Sequence, residues 1–134
     1  MYLLDTNVWL ERLLEREHSD DVGELLDQIP SDQLRISDFS FHSICVILSR
    51  LKRTPTIVDF VEDVVIEGAV GTVSVSPEDT TAVISAMNGF KLDFDDAYQY
   101  VAAAQNDLVI VSFDNDFDRT TRGRKTPAEI LLTT

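Results

Sequence analysis

Acidic residues stand at three separate places in the sequence, and two of these places directly follow an apolar run. Asp5 comes after "YLL", Asp114 comes after "LVIVSF", and Asp93, Asp95 and Asp96 crowd the start of a predicted helix. Carboxylates that converge without a counter-ion repel one another, and one of them must then take up a proton. Mg²⁺ or Mn²⁺ removes this repulsion, because these cations prefer carboxylate and water oxygens as ligands. If the three groups meet, the pattern indicates a cation site suited to phosphodiester hydrolysis.

Each acid taken alone also has a simpler structural explanation. Asp5 can cap the helix that follows it, and Asp96 can interact with a helix dipole. A turn stabilised by side-chain to backbone hydrogen bonds can account for Asp114, Asp116 and Asp118. Only the combination of these acids favours the cation site. Side chains suited to hold the carboxylates or the water of such a site by hydrogen bonds stand nearby: Thr6, Asn7 and Ser112.

Apolar periodicity predicts the elements that must bring these acids together. The predicted strands cover residues 2–5, 33–37, 70–76 and 108–114, and the predicted helices cover residues 8–17, 20–29, 41–52, 56–68, 77–89, 93–106 and 126–132. Helices between successive strands require crossover connections, which predicts an α/β fold: a three-layer α/β/α sandwich with a mainly parallel central sheet. Ligands of such folds bind at the carboxyl ends of the strands, where Asp5 and Asp114 are expected.

The composition limits the classes of protein to consider. A chain of 134 residues with 44% hydrophobic residues predicts a single domain over residues 1–134. No apolar run is long enough to span a bilayer and no signal peptide is recognisable, so we expect a cytoplasmic protein without a membrane partner. A net charge of −13 argues against tight nonspecific binding to nucleic acid, so any nucleic-acid role must use a local basic patch or a bound cation.

Two other acidic sites are disfavoured by single residues. The run "DNDFDR" begins like a calcium-binding loop, but Arg119 stands where the loop needs glycine and Lys125 stands where it needs glutamate. A phosphoacceptor receiver domain needs an aspartate at the end of a central strand, and the strand in "VGTVSVSPED" ends without one. The cation site of the first interpretation is therefore favoured over both.

Three segments together resemble the PIN domain family, in particular the small VapC-type toxins. They are "LLDTNVWL", "DDAYQYVAAA" and "IVSFDNDFDR", and "TPAEIL" matches the family's usual ending. The resemblance covers nearly the whole chain. It implies a Mg²⁺- or Mn²⁺-dependent endoribonuclease acting on single-stranded RNA, often a homodimer and often neutralised by an antitoxin protein. It also implies the site residues: Asp5, Asp96 and Asp114 as catalytic metal ligands, Asp116 as an auxiliary ligand and Thr6 as a supporting hydroxyl.

One acid that the family usually has is missing here. The resemblance places a glutamate early in the helix after the second strand, but this chain reads "ISDFSFHSICVIL". Ser43 could hold a water of the site, His42 could act as a neutral ligand, or Asp38 could reach in from the start of the helix. With fewer carboxylates, the site is expected to bind a cation more weakly.

Basic residues follow the last acid in "DRTTRGRK", and Arg119, Arg122 and Arg124 are the predicted substrate-binding residues. A phosphate backbone lying across this loop would lead toward the cation, although solvation of the surface would explain the same residues. Two functions remain open: a metal-dependent ribonuclease, or a binding module of the same fold with weak or lost nuclease activity. If His42 or Asp38 faces the three acids, the enzyme is favoured; if all the candidates near Ser43 point away, the binding module is favoured.

Overall fold

The structure, a computed structural model, describes residues 1–133. Its strands are β1 (Tyr2–Leu4), β2 (Leu34–Ser37), β3 (Gly71–Val73) and β4 (Val109–Val111). Its α-helices are α1 (Thr6–Leu13), α2 (Ser19–Gln28), α3 (Asp38–Arg50), α4 (Thr54–Phe60), α5 (Thr80–Phe90), α6 (Phe94–Gln105) and α7 (Pro127–Leu131). A π-helical segment (Val61–Glu67) continues α4, and 3₁₀ turns cover Ser31–Gln33, Pro77–Asp79 and Asn115–Arg119. None of the described helices is long and apolar enough to cross a membrane.

The four strands form one parallel sheet in the order β3-β2-β1-β4. Helices flank the sheet, which confirms the predicted α/β fold with a parallel central sheet. Leu3 and Leu4 are both fully buried, and they belong to two different apolar clusters because successive side chains of a strand point to opposite faces. Trp9, Ile44 and Phe60 pack with Leu4 on one face of the sheet. The sheet is therefore covered on both sides.

Strand and helix meet with almost no loop at two points of the carboxyl edge. Asp5 alone separates β1 from α1, and Ser37 is both the last residue of β2 and the N-cap of α3. The Asp5 carboxylate accepts a hydrogen bond from the Thr6 backbone N–H at 2.9 Å, and the Ser37 hydroxyl accepts one from the Ser40 N–H at 3.0 Å. These short connections hold the side chains at the edge in defined positions.

Helix α1 ends earlier than the sequence pattern predicts. The prediction extended it to residue 17, but the helix ends at Leu13 and Glu15 adopts a positive φ of 50°. The Arg16 N–H then closes a hydrogen bond to the Glu11 carbonyl at 2.9 Å, so the chain turns back toward the sheet edge. This turn brings Arg16 to the cavity described below.

The Tyr98 hydroxyl ties three elements together, so we expect Tyr98→Phe to destabilise the protein. It donates to Asp38 Oδ1 at 2.8 Å and accepts from the Val75 N–H at 2.9 Å. Its loss leaves that N–H without its partner, which predicts a cost of about 1–2 kcal/mol and a fall of several degrees in Tm, measured by thermal unfolding. Tyr100→Phe is the matched control, because Tyr100 contacts Phe90 by its ring and no partner for its hydroxyl is found within residues 1–133. Equal Tm values for the two variants would contradict this role of the hydroxyl.

Candidate active site

A cavity of about 280 Å³ lies at the carboxyl edge of the sheet, where the sequence places the acids. Four carboxylates line it, from three distant parts of the chain: Asp5, Asp95, Asp96 and Asp114. Asp5 follows β1, Asp95 and Asp96 stand in the first turn of α6, and Asp114 caps the 3₁₀ turn after β4. Chain topology therefore brings together acids that are up to 109 residues apart, since they stand at positions 5 and 114.

Asp5 is the most buried of these acids, with only 7% of its surface exposed. Its Oδ1 accepts hydrogen bonds from the Thr6 N–H at 2.9 Å and from Gln99 Nε2 at 3.0 Å, and its Oδ2 accepts one from Ser112 Oγ at 2.8 Å. Burial is the main cause that raises the pKa of Asp5 above its ordinary value, while these three hydrogen bonds lower it. The carboxylate is thus fixed in orientation before any ligand arrives.

The hydroxyl of Ser112 connects two of the acids. It donates to Asp5 Oδ2 and accepts from the Asp114 N–H at 3.0 Å and from Asn7 Nδ2 at 3.2 Å. The Thr6 hydroxyl, by contrast, donates to Ser40 Oγ at 2.8 Å, so Thr6 supports Asp5 through its backbone rather than through its hydroxyl. Ser112 therefore acts on the acids from behind the cavity surface, whereas Thr6 lines the cavity.

Asp96, Asp114 and Asp116 form a second, less buried group of acids. One carboxylate oxygen of each lies within 4.8 Å of the others. Burial raises the pKa of Asp96 to about 8, and the charges of Asp95 and Asp114 add to the rise. Asp116 also pairs with Arg119 at 3.1 Å. In the absence of a cation, burial and the neighbouring negative charges therefore favour the protonated form of Asp96.

The donor set fits a hard divalent cation. It consists of carboxylate oxygens, which Mg²⁺ and Mn²⁺ prefer, and it contains no thiolate. Burial is the main cause of the raised pKa of Asp96, and the negative charges of its neighbours Asp95, Asp114 and Asp5 raise it further. Asp96, Asp114 and Asp116 have the spacing to share one cation, and Asp5 lies in the same cavity as Asp96 and Asp114.

Comparison with known proteins places this arrangement in a family. The model of the PIN domain matches residues 2–123. The chain belongs to the PIN domain family. No curated protein sequence gives a significant match.

Solved structures of other proteins share this PIN fold. A toxin-antitoxin complex from Klebsiella pneumoniae has 18% identity and a TM-score of 0.73, covering 95% of this chain and 98% of that one. FitAcB from Neisseria gonorrhoeae has 19% identity and a TM-score of 0.76, covering 96% and 99%. PAE2754 from Pyrobaculum aerophilum has 18% identity and a TM-score of 0.69, covering 98% and 87%. At these identities the likeness concerns the fold.

Helix α3, where the resemblance to the family implies a glutamate, presents a hydroxyl to the cavity. Ser43 lines the cavity, together with the apolar side chains of Phe39 and Ile47. His42 is exposed and lines a neighbouring apolar groove. Asp38 accepts hydrogen bonds from Tyr98 Oη and from the Phe39 N–H, both at 2.8 Å, and is not among the residues that line the cavity. Of the three candidates from α3, only Ser43 reaches the cavity.

The predicted substrate-binding arginines of this PIN domain are engaged by the chain itself. Arg122 donates to Asp107 at 3.0 Å and to the Leu108 carbonyl at 3.2 Å. Arg124 donates to the Ser112 carbonyl at 3.0 Å and pairs with Asp118 at 3.1 Å. Arg119 pairs with Asp116, and none of the three arginines is among the residues that line the cavity.

The structure identifies two site residues that the sequence analysis missed. Arg16 lines the cavity, and within residues 1–133 no ion pair or hydrogen bond of its guanidinium is found. Gln99 lies one helical turn after Asp96 and is only 2% exposed. Gln99 could have been found from the sequence, because a polar residue three positions after an acid lies on the same face of a helix as that acid. The sequence contains no comparable signal for Arg16, because its position depends on the turn that ends α1.

Proposed function

We propose that this PIN domain is a Mg²⁺- or Mn²⁺-dependent endoribonuclease that hydrolyses phosphodiester bonds of single-stranded RNA. The observation that supports it most is the convergence of Asp5, Asp96 and Asp114 on one cavity at the carboxyl edge of the sheet. Asp116, close to two of them, is the auxiliary ligand. A divalent cation bound to these carboxylates supplies activation of water and neutralisation of phosphate oxygens.

The residues of the chain have separate tasks in this proposal. Asp5, Asp96 and Asp114 hold the cation, and Ser112 keeps the Asp5 carboxylate in place from behind. Ser43 offers a hydroxyl that can donate to a water or a phosphate oxygen, at the place where other members of the family have an acid. Apolar side chains of α3 line the same wall and limit the number of waters that reach the phosphate.

The decisive experiment is cleavage of a fluorescently quenched single-stranded RNA by the wild-type protein. Fluorescence should rise with Mn²⁺ and stay flat when EDTA is in excess. Several RNA sequences are needed, because the sequence of this chain does not identify the RNA target. Cleavage that proceeds unchanged in EDTA would refute the role of the cation.

Arg16 is the basic residue placed to meet the substrate, because within the described residues it is the one cation that lines the acidic cavity. We expect Arg16→Gln to weaken RNA binding about three- to tenfold and to reduce the salt dependence of binding by about one charge, with little change in Tm. Fluorescence anisotropy at two salt concentrations measures both effects. Arg53→Gln is the control, since Arg53 is also exposed but lies outside the cavity. An equal effect of both variants would show that overall charge is responsible.

A second function, binding of RNA or protein without catalysis, is favoured by one observation: α3 presents the hydroxyl of Ser43 to the cavity in place of a carboxylate. If the cavity holds a cation too weakly for catalysis, the protein acts as an RNA- or protein-binding module. RNA binding by anisotropy without cleavage, in the presence of Mn²⁺, would establish this function.

An antitoxin protein is the proposed partner, because a structure with the same fold is part of a toxin-antitoxin complex. An apolar groove on α3 is a suitable surface, since Phe39, Ser43 and Ile47 line both the groove and the acidic cavity. A protein seated there would cover the entrance to the cavity. We also propose that the protein is a homodimer, and a measurement of its mass in solution tests this. A cytoplasmic location is proposed as well.

A further inference from the structure

Gln99 is a fully engaged polar side chain in an apolar part of α6. Its neighbours Ala97, Val101, Ala102 and Ala103 are buried in the cluster on one face of the sheet. Gln99 Nε2 donates to Asp5 Oδ1 at 3.0 Å and to Ser40 Oγ at 2.8 Å, and Gln99 Oε1 accepts from Ser37 Oγ at 2.5 Å. A buried amide is costly unless it is paired, so this network stabilises one orientation of the side chain.

The chemistry of its partners determines which way the Gln99 amide points. Asp5 as a carboxylate can only accept, so the amide nitrogen must face it. In this orientation the Ser37 hydroxyl accepts the Ser40 N–H at 3.0 Å and donates its own proton to the amide oxygen of Gln99. A flipped amide would turn its oxygen toward the Asp5 carboxylate and lose the hydrogen bond to Oδ1. The nitrogen is therefore held against Asp5 by contacts on the opposite side of the amide.

The hydrogen bonds to Asp5 are unevenly shared between its two oxygens. Oδ1 accepts two, from the Thr6 N–H and from Gln99, whereas Oδ2 accepts one, from Ser112. A carboxylate oxygen has about two acceptor positions, so Oδ1 is saturated and Oδ2 has one position open. The Asp5 carboxylate is thus arranged to offer a single oxygen.

We propose that Gln99 is a positioning residue of the cation site, which holds the Asp5 carboxylate so that Oδ2 alone is presented to the cation. This inference rests on the proposed function, since it needs a cation at Asp5. Without Gln99, Oδ1 regains an open position and the carboxylate is held by Thr6 and Ser112 alone. Loss of a group that orients a metal ligand typically lowers metal affinity about 10- to 100-fold.

The test measures Mn²⁺ affinity by the electron paramagnetic resonance signal of free Mn²⁺, which does not depend on activity. Gln99→Met keeps the length and shape of the side chain and removes the donor, and we expect it to weaken Mn²⁺ binding about tenfold. Gln105→Met is the matched control on the same helix, because Gln105 bonds Asp79 outside the cavity. If Gln99→Met does not fold, Gln99→Asn serves as a second variant, because it keeps an amide on a shorter side chain. We expect the same tenfold loss of Mn²⁺ affinity.

A double-mutant comparison separates positioning from a purely structural role. If Gln99 acts through Asp5, then Gln99→Met will cause no further loss of Mn²⁺ affinity in a protein that already carries Asp5→Asn. An equal loss in both backgrounds, or wild-type affinity of the single variant, would overturn the inference. If the wild-type protein does not bind Mn²⁺, or Asp5→Asn leaves the affinity unchanged, the proposed function fails together with this inference. If only the inference about Gln99 fails, Asp5→Asn still weakens Mn²⁺ binding, which shows that the cation site itself is present.

Discussion

Asp5→Asn will lower Mn²⁺-dependent RNA cleavage by on the order of a thousandfold, about 4 kcal/mol of transition-state stabilisation, and leave the protein folded. Asparagine is as good an N-cap as aspartate, so its oxygen can still accept the Thr6 N–H that starts α1. The amide NH₂ would face Ser112, whose hydroxyl already accepts from Asn7 and from the Asp114 N–H, and this crowding of donors destabilises the variant. Removal of a buried charge offsets that cost, so Tm should stay close to the wild-type value.

Cleavage of the quenched RNA and thermal unfolding should be measured on the same preparations. Asp93→Asn is the matched control, since Asp93 is an exposed acid at the start of α6, makes no side-chain capping hydrogen bond and does not line the cavity. It should retain full cleavage. If Asp5→Asn is folded and cleaves the RNA at the wild-type rate, the proposed catalytic role of the carboxylate is wrong.

Asp96→Asn will stabilise the cation-free protein while removing most of the stabilisation that a cation provides. The half-buried Asp96 carboxylate is repelled by Asp95 and Asp114, and its pKa is raised to about 8 by burial and by these charges. At pH 7 the folded protein therefore holds a proton on Asp96 that the unfolded chain releases, and asparagine removes the cost of this proton uptake, so Tm should rise by a few degrees, about 1 kcal/mol after allowance for screening by solvent. Mg²⁺ at a hundred times its Kd should stabilise the wild type by about 2.7 kcal/mol, and the variant by much less.

Thermal unfolding with EDTA and with a series of Mg²⁺ concentrations measures both effects. The direction of the Tm change in EDTA distinguishes a metal ligand from a residue that only interacts with the helix dipole. If Asp96 only stabilised α6 through the dipole, its substitution would lower Tm. Asp93→Asn controls for charge at the start of α6, since it should leave the stabilisation by Mg²⁺ intact. Equal stabilisation of the wild type and Asp96→Asn by Mg²⁺ would exclude Asp96 as a ligand.

Much of the fold could be predicted because local patterns decide it. Four consecutive apolar residues in "LVIV" suit a strand covered on both faces, and the structure has β4 there. The alternation of strands and helices leads to a parallel sheet whatever the details of its loops. The end of α1 was harder to predict, because it depends on the positive φ of Glu15 and on a hydrogen bond from Arg16 to Glu11 rather than on apolar periodicity.

The sequence by itself determined the parallel α/β fold and the position of Asp5 and Asp114 at the carboxyl edge, because periodicity and chain order dictate them. The PIN family was indicated by the resemblance of three segments, and the family match confirms it. Only the tertiary structure decided which side chains join these acids. Arg122 and Arg124 bind their own neighbours, Asp38 is held by Tyr98, and the cavity receives Arg16, Ser43 and Gln99 instead. The physical reason is that a hydrogen-bond partner depends on the relative placement of elements far apart in the chain, and residue types alone do not specify that placement.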